Sequence, residues 1–478
     1  MKKLFSVFLL VLIMTPVFVF ANGEKEAAKS DGPVEIEFLA QWPISDSEEA
    51  LMHEIEKKTN TKVTYTVVAN QEQRDTIAAR LASGDLPDLF FIEDVQAYKD
   101  AMLGDLLADF TKWSKDLNLT NIQDEMKVLD NTYGNIFKED NGDYYRLPAR
   151  RMKAYGWYWV YRADWAKEAG VTYDAYNPQG FIEFVNAMKA NHPNSVGLTA
   201  YGSWGPLTAF AAAYSKGMPV QWNRPNLNQD KNGNWYAIET TDGFREGVEY
   251  LNDLYTQGVL DPEIFSMDRD TATQKFIQGK SAVLMANSPF ADALTQAFYG
   301  ANPNGKMDSF EIAPQGPEGG ARGGSTGYYK NWVVAKNSDE KTAAAMKFLN
   351  ELKSAETKAL ATRPEKWKLS SGGEGNHTWT EWTGIVEMDW DNADPTMAKG
   401  LRNADNEVDV INPLYDGYST DISMQYKPEV ASVMEEYINN FIVGKLDVRN
   451  DSVWKQYLNA VDKAGLPIIL EDITNYYK

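Results

Sequence analysis

Six aromatic rings fall within the eleven residues Tyr155–Trp165, "YGWYWVYRADW". A flat ring can stack on the apolar C–H face of a sugar, leaving its hydroxyl edges to carboxylates, amides and guanidinium groups. The same rings serve equally well as core. Strand periodicity puts Tyr155, Trp157, Trp159 and Tyr161 on one face and Tyr158, Val160 and Arg162 on the other. Trp159, Tyr161 and Trp165 are expected to be core, whereas Tyr155 and Trp157 are candidates to meet a ligand. Rings in loops have less core to serve. Trp42 follows the first strand at its C-terminal end, the edge at which open α/β sheets hold ligands. Tyr201 and Trp204 ("AYGSWGP") follow a later strand in the same way. Tyr328 and Tyr329 lie in "GYYKNW", 327–332, and Trp379, Trp382 and Trp390 in a segment without periodicity. Glu93, Asp94 and Arg151 are the candidate polar groups.

Other chemistries find less support. "HEIEK", 53–57, starts like a zinc-protease helix, but Lys57 stands where the second histidine belongs. The chain has three histidines, His53, His192 and His377, so a metal triad is not expected. "GGARGGSTG", 319–327, lacks the lysine of a phosphate loop and reads as a flexible turn. No Gly-x-Ser-x-Gly elbow occurs. With 68 Asp and Glu, carboxylate pairs arise by chance, and composition does not exclude a glycosidase. Asp230-x-Asn232-Gly233-Asn234 resembles a calcium loop with its glycine two places early, and reads as a hairpin turn.

These residues need a scaffold. Val34–Gln41 alternates as a strand, and a helix capped by Ser45 or Asp46 buries Leu51, Met52 and Ile55. Strand Lys62–Val68 and helix Gln71–Ala82, stopped by Gly84, come next. Asp88–Ile92, "DLFFI", is a short apolar strand of the kind buried in a parallel sheet. The alternation predicts an α/β fold. Asn141-Gly142 predicts a hairpin between Ile136–Phe137 and Tyr144–Leu147. Helices are expected over Asp164–Ala169, Asp242–Gln257 and Thr271–Gln278, with strands Val196–Ala200 and Ser281–Met285. A strand through Tyr329 to Ala335 leads to helix Asp339–Leu352, capped by Ser338. Helices Glu429–Val443 and Ser452–Lys463 close the chain, and 363–427 shows little periodicity.

Met1-Lys2-Lys3 followed by an apolar run to Phe20 and Ala21 reads as a secretory signal peptide, residues 1–21. The polar stretch 22–32 reads as a flexible tether. There is no cysteine, which excludes disulfides and a lipid-modified N-terminal cysteine. Loss of Lys2 and Lys3 takes the formal charge from −21 to −23, which disfavours nucleic acid and anionic membrane as partners. The length suggests two domains.

Six stretches resemble, in order, the extracellular solute-binding proteins of ABC importers, and within them the branch of alginate-binding and LplA-like lipoproteins. They are "SGDLPDLFF" (83–91), "VYRADWAKEAGV" (160–171), "YLNDLYTQGVLDPE" (250–263), "KFIQGKSAVLM" (275–285), "NWVVAKNSDEKTAAAMKFLN" (331–350) and "FIVGKLDVRNDSVWKQYLNAVDKAGL" (441–466). The resemblance implies two α/β lobes joined by crossing strands, with the ligand between them and hinge closure around it. The N-terminal lobe would take 33–150 plus 288–326, the C-terminal lobe 151–287 plus 327–478. Crossings fall near Pro148–Lys153, Ala286–Pro289 and Ser325–Asn331. It further implies a monomeric, periplasmic carrier that binds an oligosaccharide or related carbohydrate, delivers it to membrane permease subunits, and needs no cofactor. Relatives carry a calcium loop where this chain has "NHPNSVGLTAYG", so no metal is expected there. A carboxylate-bearing ligand met by Arg150, Arg151 and Lys153, or a secreted carbohydrate-active enzyme, are the alternatives.

Overall fold

The computed structural model describes residues 32–40, 44, 46–68, 70–135, 137–139, 141–150, 157–173, 178–200, 202, 204–215, 224–287, 291–310, 315–316, 319–320, 328–361, 395–396, 399, 418 and 420–477. The expected leader, and the expected tether apart from Gly32, lie outside them. Met1–Pro33 and Val34–Lys478 are separate units, and all the described elements belong to the second.

β1 (Val34–Ala40), α1 (Asp46–Thr59), β2 (Thr61–Val67), α2 (Asn70–Ser83) and β3 (Leu89–Ile92) alternate as expected. α3 (Val95–Leu103), α4 (Phe110–Asp116) and α5 (Thr120–Tyr133) precede β4 (Leu147–Arg150). The strands form one sheet in the order β2-β1-β3-β13-β4, where β13 is Tyr328–Val334. β1 runs parallel to β2 and β3, and β13 is antiparallel to β3 and β4, so the sheet is mixed where "DLFFI" predicted a parallel one. Alternate β3 side chains enter opposite cores: Leu89 and Phe91 pack with Phe38 and Trp332, Phe90 and Ile92 with Leu39 and Tyr98. A strand covered on both faces reads as unbroken apolar sequence.

The second sheet has the order β10-β5-β9-β6. β5 (Trp157–Arg162) leads to α6 (Ala163–Ala169), α7 (Pro178–Ala190), β6 (Val196–Ala200) and α8 (Trp204–Tyr214). The hairpin β7 (Leu227–Gln229) and β8 (Trp235–Ala237), then α9 (Asp242–Thr256), α10 (Arg269–Ile277), β9 (Ser281–Asn287), α11 (Ala291–Ala301) and β10 (Met307–Ser309) follow. The expected alternation in β5 is observed, since Trp159 enters one core and Val160 another. Trp165 is buried and Tyr161 half-buried against the Trp159 core. Gly197 in β6 is sterically required: a Cβ there would meet the Val259 carbonyl at 2.4 Å.

β11 (Gln315–Gly316) and β12 (Gly319–Gly320) form a small hairpin against α8. After β13 come α12 (Asp339–Leu352), capped by Ser338 as expected, and α13 (Ala355–Ala361). α14 (Asp421–Ile442), α15 (Asp451–Ala464) and α16 (Leu466–Tyr476) pack with the Trp159 core.

Four expectations need correction. The chain does not return to the first sheet near Ala286–Pro289: Leu294 and Phe298 of α11 pack with Val160, and β10 pairs with β5. α11 and β10, assigned to the first lobe, thus belong with the second sheet, while β13 and α12, assigned to the second lobe, belong with the first. Asn141-Gly142 makes a turn, with Gly142 N–H donating to Glu139 O at 2.8 Å, but no ladder, because β4 takes β13 as its partner. The helix expected from Glu429 starts at Asp421 and carries Pro428 within it. A helix absent from the expectations, α16, starts as Gly465 (φ 113°) ends α15.

Ion pairing ties α2 to the first sheet. The Arg80 guanidinium donates to both Glu37 oxygens at 2.8 and 2.7 Å, which holds that carboxyl below its ordinary range. The pair therefore contributes stability above the unfolded carboxylate pKa and loses it as pH falls through the lower folded value. Urea midpoints measured from pH 6 down to pH 3 should drop less steeply for Glu37→Gln than for the native chain. Equal slopes would deny the pair this role.

Candidate functional site

The first sheet gathers several candidate residues at one edge. β1 ends at Ala40, level with Phe91, since Phe38 pairs with Leu89 and Leu39 with Phe90. β3 ends at Ile92, opposite Asn331 of β13, and Tyr328 lies opposite Arg150, the last residue of β4. Three parallel strands thus present their C-terminal ends where β13 begins. Chain order puts Trp42 two residues past β1, Glu93 and Asp94 directly past β3, and Arg151 directly past β4. Trp42 and Arg151 themselves lie outside the described residues, and Tyr328 and Tyr329 are placed by backbone alone.

Asp94 has a structural duty. It N-caps α3, accepting from Ala97 N–H at 2.8 Å, and so leaves one oxygen outside the cap. It also lines a cavity of about 410 Å³ between α2 and α3 with Leu81, Ala97 and Asp100. Glu93 is half-buried beside it. One turn on, Tyr98 donates to Glu139 at 2.6 Å beneath the Arg146 guanidinium, 4.7 Å from the ring centroid. Burial pushes the Tyr98 hydroxyl well above its ordinary pKa, so it acts as a donor.

Lys330 is the group that sequence reasoning missed at this edge. It is buried in β13 opposite Ala149, with Nζ 4.3 Å from the Phe91 ring centroid. A lysine within an aromatic strand was the available signal, and the rings around it drew attention instead.

The second sheet repeats the arrangement. β6 ends at Ala200, paired with Met285, and β9 ends at Asn287, paired with Trp157 at the start of β5. Tyr201 directly follows β6 and lies outside the described residues; Gly202 N–H donates to Met267 O at 3.0 Å. Trp204 is the first residue of α8. α8 can lie close to α9 because Gly243 and Gly247 present no side chain: a Cβ on Gly247 would stand 2.7 Å from Ala211 Cα. Trp157 and Trp204 are placed by backbone alone. Tyr155, Trp379 and Trp382 lie outside the described residues.

The two edges are tethered. Arg150 closes β4 in one sheet and Trp157 opens β5 in the other. Seven residue steps at no more than about 3.6 Å each hold these edges within roughly 25 Å. One short connection therefore links an edge of each sheet that carries parallel strand ends, the kind of edge at which α/β folds take ligands.

The described residues hold no group of three His, Asp or Glu suited to a metal. Asp230 accepts from Asn232 and Asn234 backbone N–H at 2.8 and 2.9 Å, and so closes the β7–β8 turn as expected. No helix among the described residues is long and apolar enough to cross a membrane.

Comparisons with known proteins agree with this architecture. The alginate-binding protein AlgQ2, in a crystal structure without calcium ion, superimposes with a TM-score of 0.68 at 16% identity, over 94% of this chain and 98% of that one. Lipoprotein LipO of Bacillus subtilis is 22% identical over 359 residues, 72% of this chain and 68% of its own length. The polygalacturonan/rhamnogalacturonan-binding protein YtcQ of the same organism is 22% identical over 370 residues, 71% and 67% respectively. The model of the bacterial extracellular solute-binding proteins matches residues 42–359, well over half of the chain, and the protein belongs to that family.

Proposed function

We propose that this protein is the periplasmic substrate-binding component of an ABC importer. It captures an oligosaccharide or related carbohydrate between its two sheets and delivers it to membrane permease subunits, without catalysing a reaction. The observation that supports this reading is that the C-terminal ends of the parallel strands in both sheets share the edges from which the short chain 151–156 leaves β4 and enters β5. The aromatic and charged candidates Trp42, Glu93, Arg151, Tyr155, Trp157, Tyr201, Trp204, Tyr328 and Tyr329 all follow or begin those strands. Asp94 shares the edge, with its remaining oxygen available to a ligand. Trp379 and Trp382 complete the proposed set from sequence alone. The leader read over residues 1–21 supports delivery to the exported compartment.

A second reading narrows the ligand to a uronate oligosaccharide. It is supported by the name of YtcQ and by Arg150, Arg151 and Lys153 at the connection. Thermal-shift screening of the mature chain against neutral and uronate oligosaccharides tests both readings. A ligand at 100 times its dissociation constant adds about 2.7 kcal/mol. A panel without a stabilising member, or turnover of any member, would count against the carrier reading.

Trp204→Ala is expected to weaken the ligand so found by about 1–3 kcal/mol, by analogy with aromatic stacking on bases, or roughly five- to 150-fold. Its urea midpoint should stay close to that of the native chain. Unfolding of this variant would instead make Trp204 a core residue.

A further inference from the structure

Lys99 of α3 stands among charges that come from both halves of the fold. α3 starts at the edge where β3 ends, and Tyr98 packs it with Leu39 and Phe90 of the first sheet. The next residue, Lys99, is half-buried. On the first-sheet side it feels Glu139, which accepts from Tyr98 at 2.6 Å, and the Arg146 guanidinium that covers the Tyr98 ring. The other charges acting on it are Asp421 and Asp472. These belong to α14 and α16, whose Val430, Met434 and Ile473 pack with Trp159 in the core of the second sheet. Two carboxylates of the second body thus act on an ammonium carried by the first.

Both carboxylates are held in place. Asp472 accepts from the Tyr418 hydroxyl at 2.5 Å and from the Thr420 hydroxyl. Thr420 in turn N-caps α14, accepting from Ser423 N–H at 3.0 Å, which fixes Asp421 as the first residue of that helix. Burial holds the Lys99 ammonium below its ordinary pKa, while Glu139, Asp421 and Asp472 favour its charge. Among the described residues, no carboxylate lies within ion-pairing distance of it. The attraction therefore acts across the seam between the two bodies without a contact. The chain sets 68 Asp and Glu against 47 Lys and Arg, so its general field opposes compaction, and a cation at this seam works the other way.

We propose that Lys99, facing Asp421 and Asp472, forms a charge clasp that draws the two bodies together and sets how far the molecule opens when no ligand is bound. Its consequence for ligand capture rests on the carrier reading. The clasp itself does not.

Small-angle scattering of the ligand-free mature chain in low salt provides the test. Lys99→Glu sets a like charge against Asp421 and Asp472. It should raise the ratio of extended to compact forms by up to about fivefold, the upper range for partly exposed pairs, and so enlarge the radius of gyration. Lys99→Gln should give a smaller rise. In about 1 M salt, where the screening length is about 3 Å, Lys99→Gln and the native chain should coincide. The exchanged pair Lys99→Glu/Asp421→Lys should return towards the native dimension. Asp421 is the partner to exchange because it is exposed, whereas Asp472 anchors Tyr418 and Thr420. Urea midpoints near that of the native chain should show each variant folded. A radius of gyration unchanged in Lys99→Glu would overturn the clasp, as would an exchanged pair no more compact than Lys99→Glu alone. No ligand enters this experiment, so its failure leaves the carrier reading standing. A sugar panel without a stabilising member would count against that reading and leave the scattering result intact.

Discussion

Trp159→Ala should cost about 3–5 kcal/mol of folding stability, the usual range for emptying a core site of its large aromatic ring. The side chain is fully buried at the centre of β5. Its ring meets Phe210 at 5.6 Å, Phe181 at 6.4 Å and Phe310 at 6.5 Å, all near perpendicular. Its Nε1 has no hydrogen-bond partner among the described residues, so the loss would come from packing alone. Four further rings, Tyr161, Phe184, Tyr173 and Tyr250, are themselves held in edge-to-face pairs around the site, which limits collapse into the cavity. Urea unfolding at an unchanged m-value would report the loss as a lower midpoint. Trp159→Phe should recover much of it by refilling the volume. A variant that keeps native stability but loses ligand affinity would move Trp159 from the core to the binding surface.

How far such a residue can be read from sequence depends on how local its constraint is. The end of α2 at Gly84 (φ 71°), the Ser338 cap and the Asp230–Asn234 turn were legible because each is written within a few residues. The Trp159/Val160 alternation was legible for the same reason. The placement of α11 and β10 was not. Met307 pairs with Arg162, 145 positions away, and nothing in the sequence around either residue records it. The Asn141-Gly142 turn shows how a local signal can be right and its consequence wrong. Phe137 and Tyr144 flank it, but among the described residues Tyr144 gives its backbone N–H to Thr111 and its carbonyl to Phe110 N–H, so its main chain pairs with α4 rather than with Phe137.

For the candidate site, chain order was the useful signal. Residues directly after parallel strands reach one edge whatever the loops do, which explains why Glu93 and Asp94 come to a strand end. What chain order misses is a side chain's other obligation. Asp94 is bound to α3 by its cap, and Lys330 lies against Phe91, and both facts depend on neighbours fixed by the fold. The charges that face Lys99 were invisible because the nearer in sequence, Asp421, is 322 positions away.

The seam between α12 and α5 carries the other large expected effect. α5 starts at Thr120, and its N-cap, Leu119, has no side-chain acceptor. Asn350 of α12 supplies one, taking Asn121 and Ile122 N–H at 3.0 and 3.3 Å. Three residues on, Lys353 Nζ lies 2.9 Å from Glu125 Oε2, with side chains 1% and 8% exposed. Neither charge can be hydrated there, so each depends on the other. Lys353→Ala should destabilise by about 3–5 kcal/mol, because it strands the Glu125 carboxylate in a low-dielectric setting. Replacing both, as Lys353→Met with Glu125→Leu, should restore most of that, since apolar groups of similar volume avoid the desolvation cost altogether. The native chain, Lys353→Met, Glu125→Leu and the double variant, compared by urea unfolding at neutral pH, separate the coupling from each side chain's own packing. Equal losses in the single and double variants would mean that the lysine stem packs and the charges contribute nothing. Recovery in the double variant would show that the loss in the single variant comes from the stranded carboxylate, at a pair that joins the end of α12 to α5.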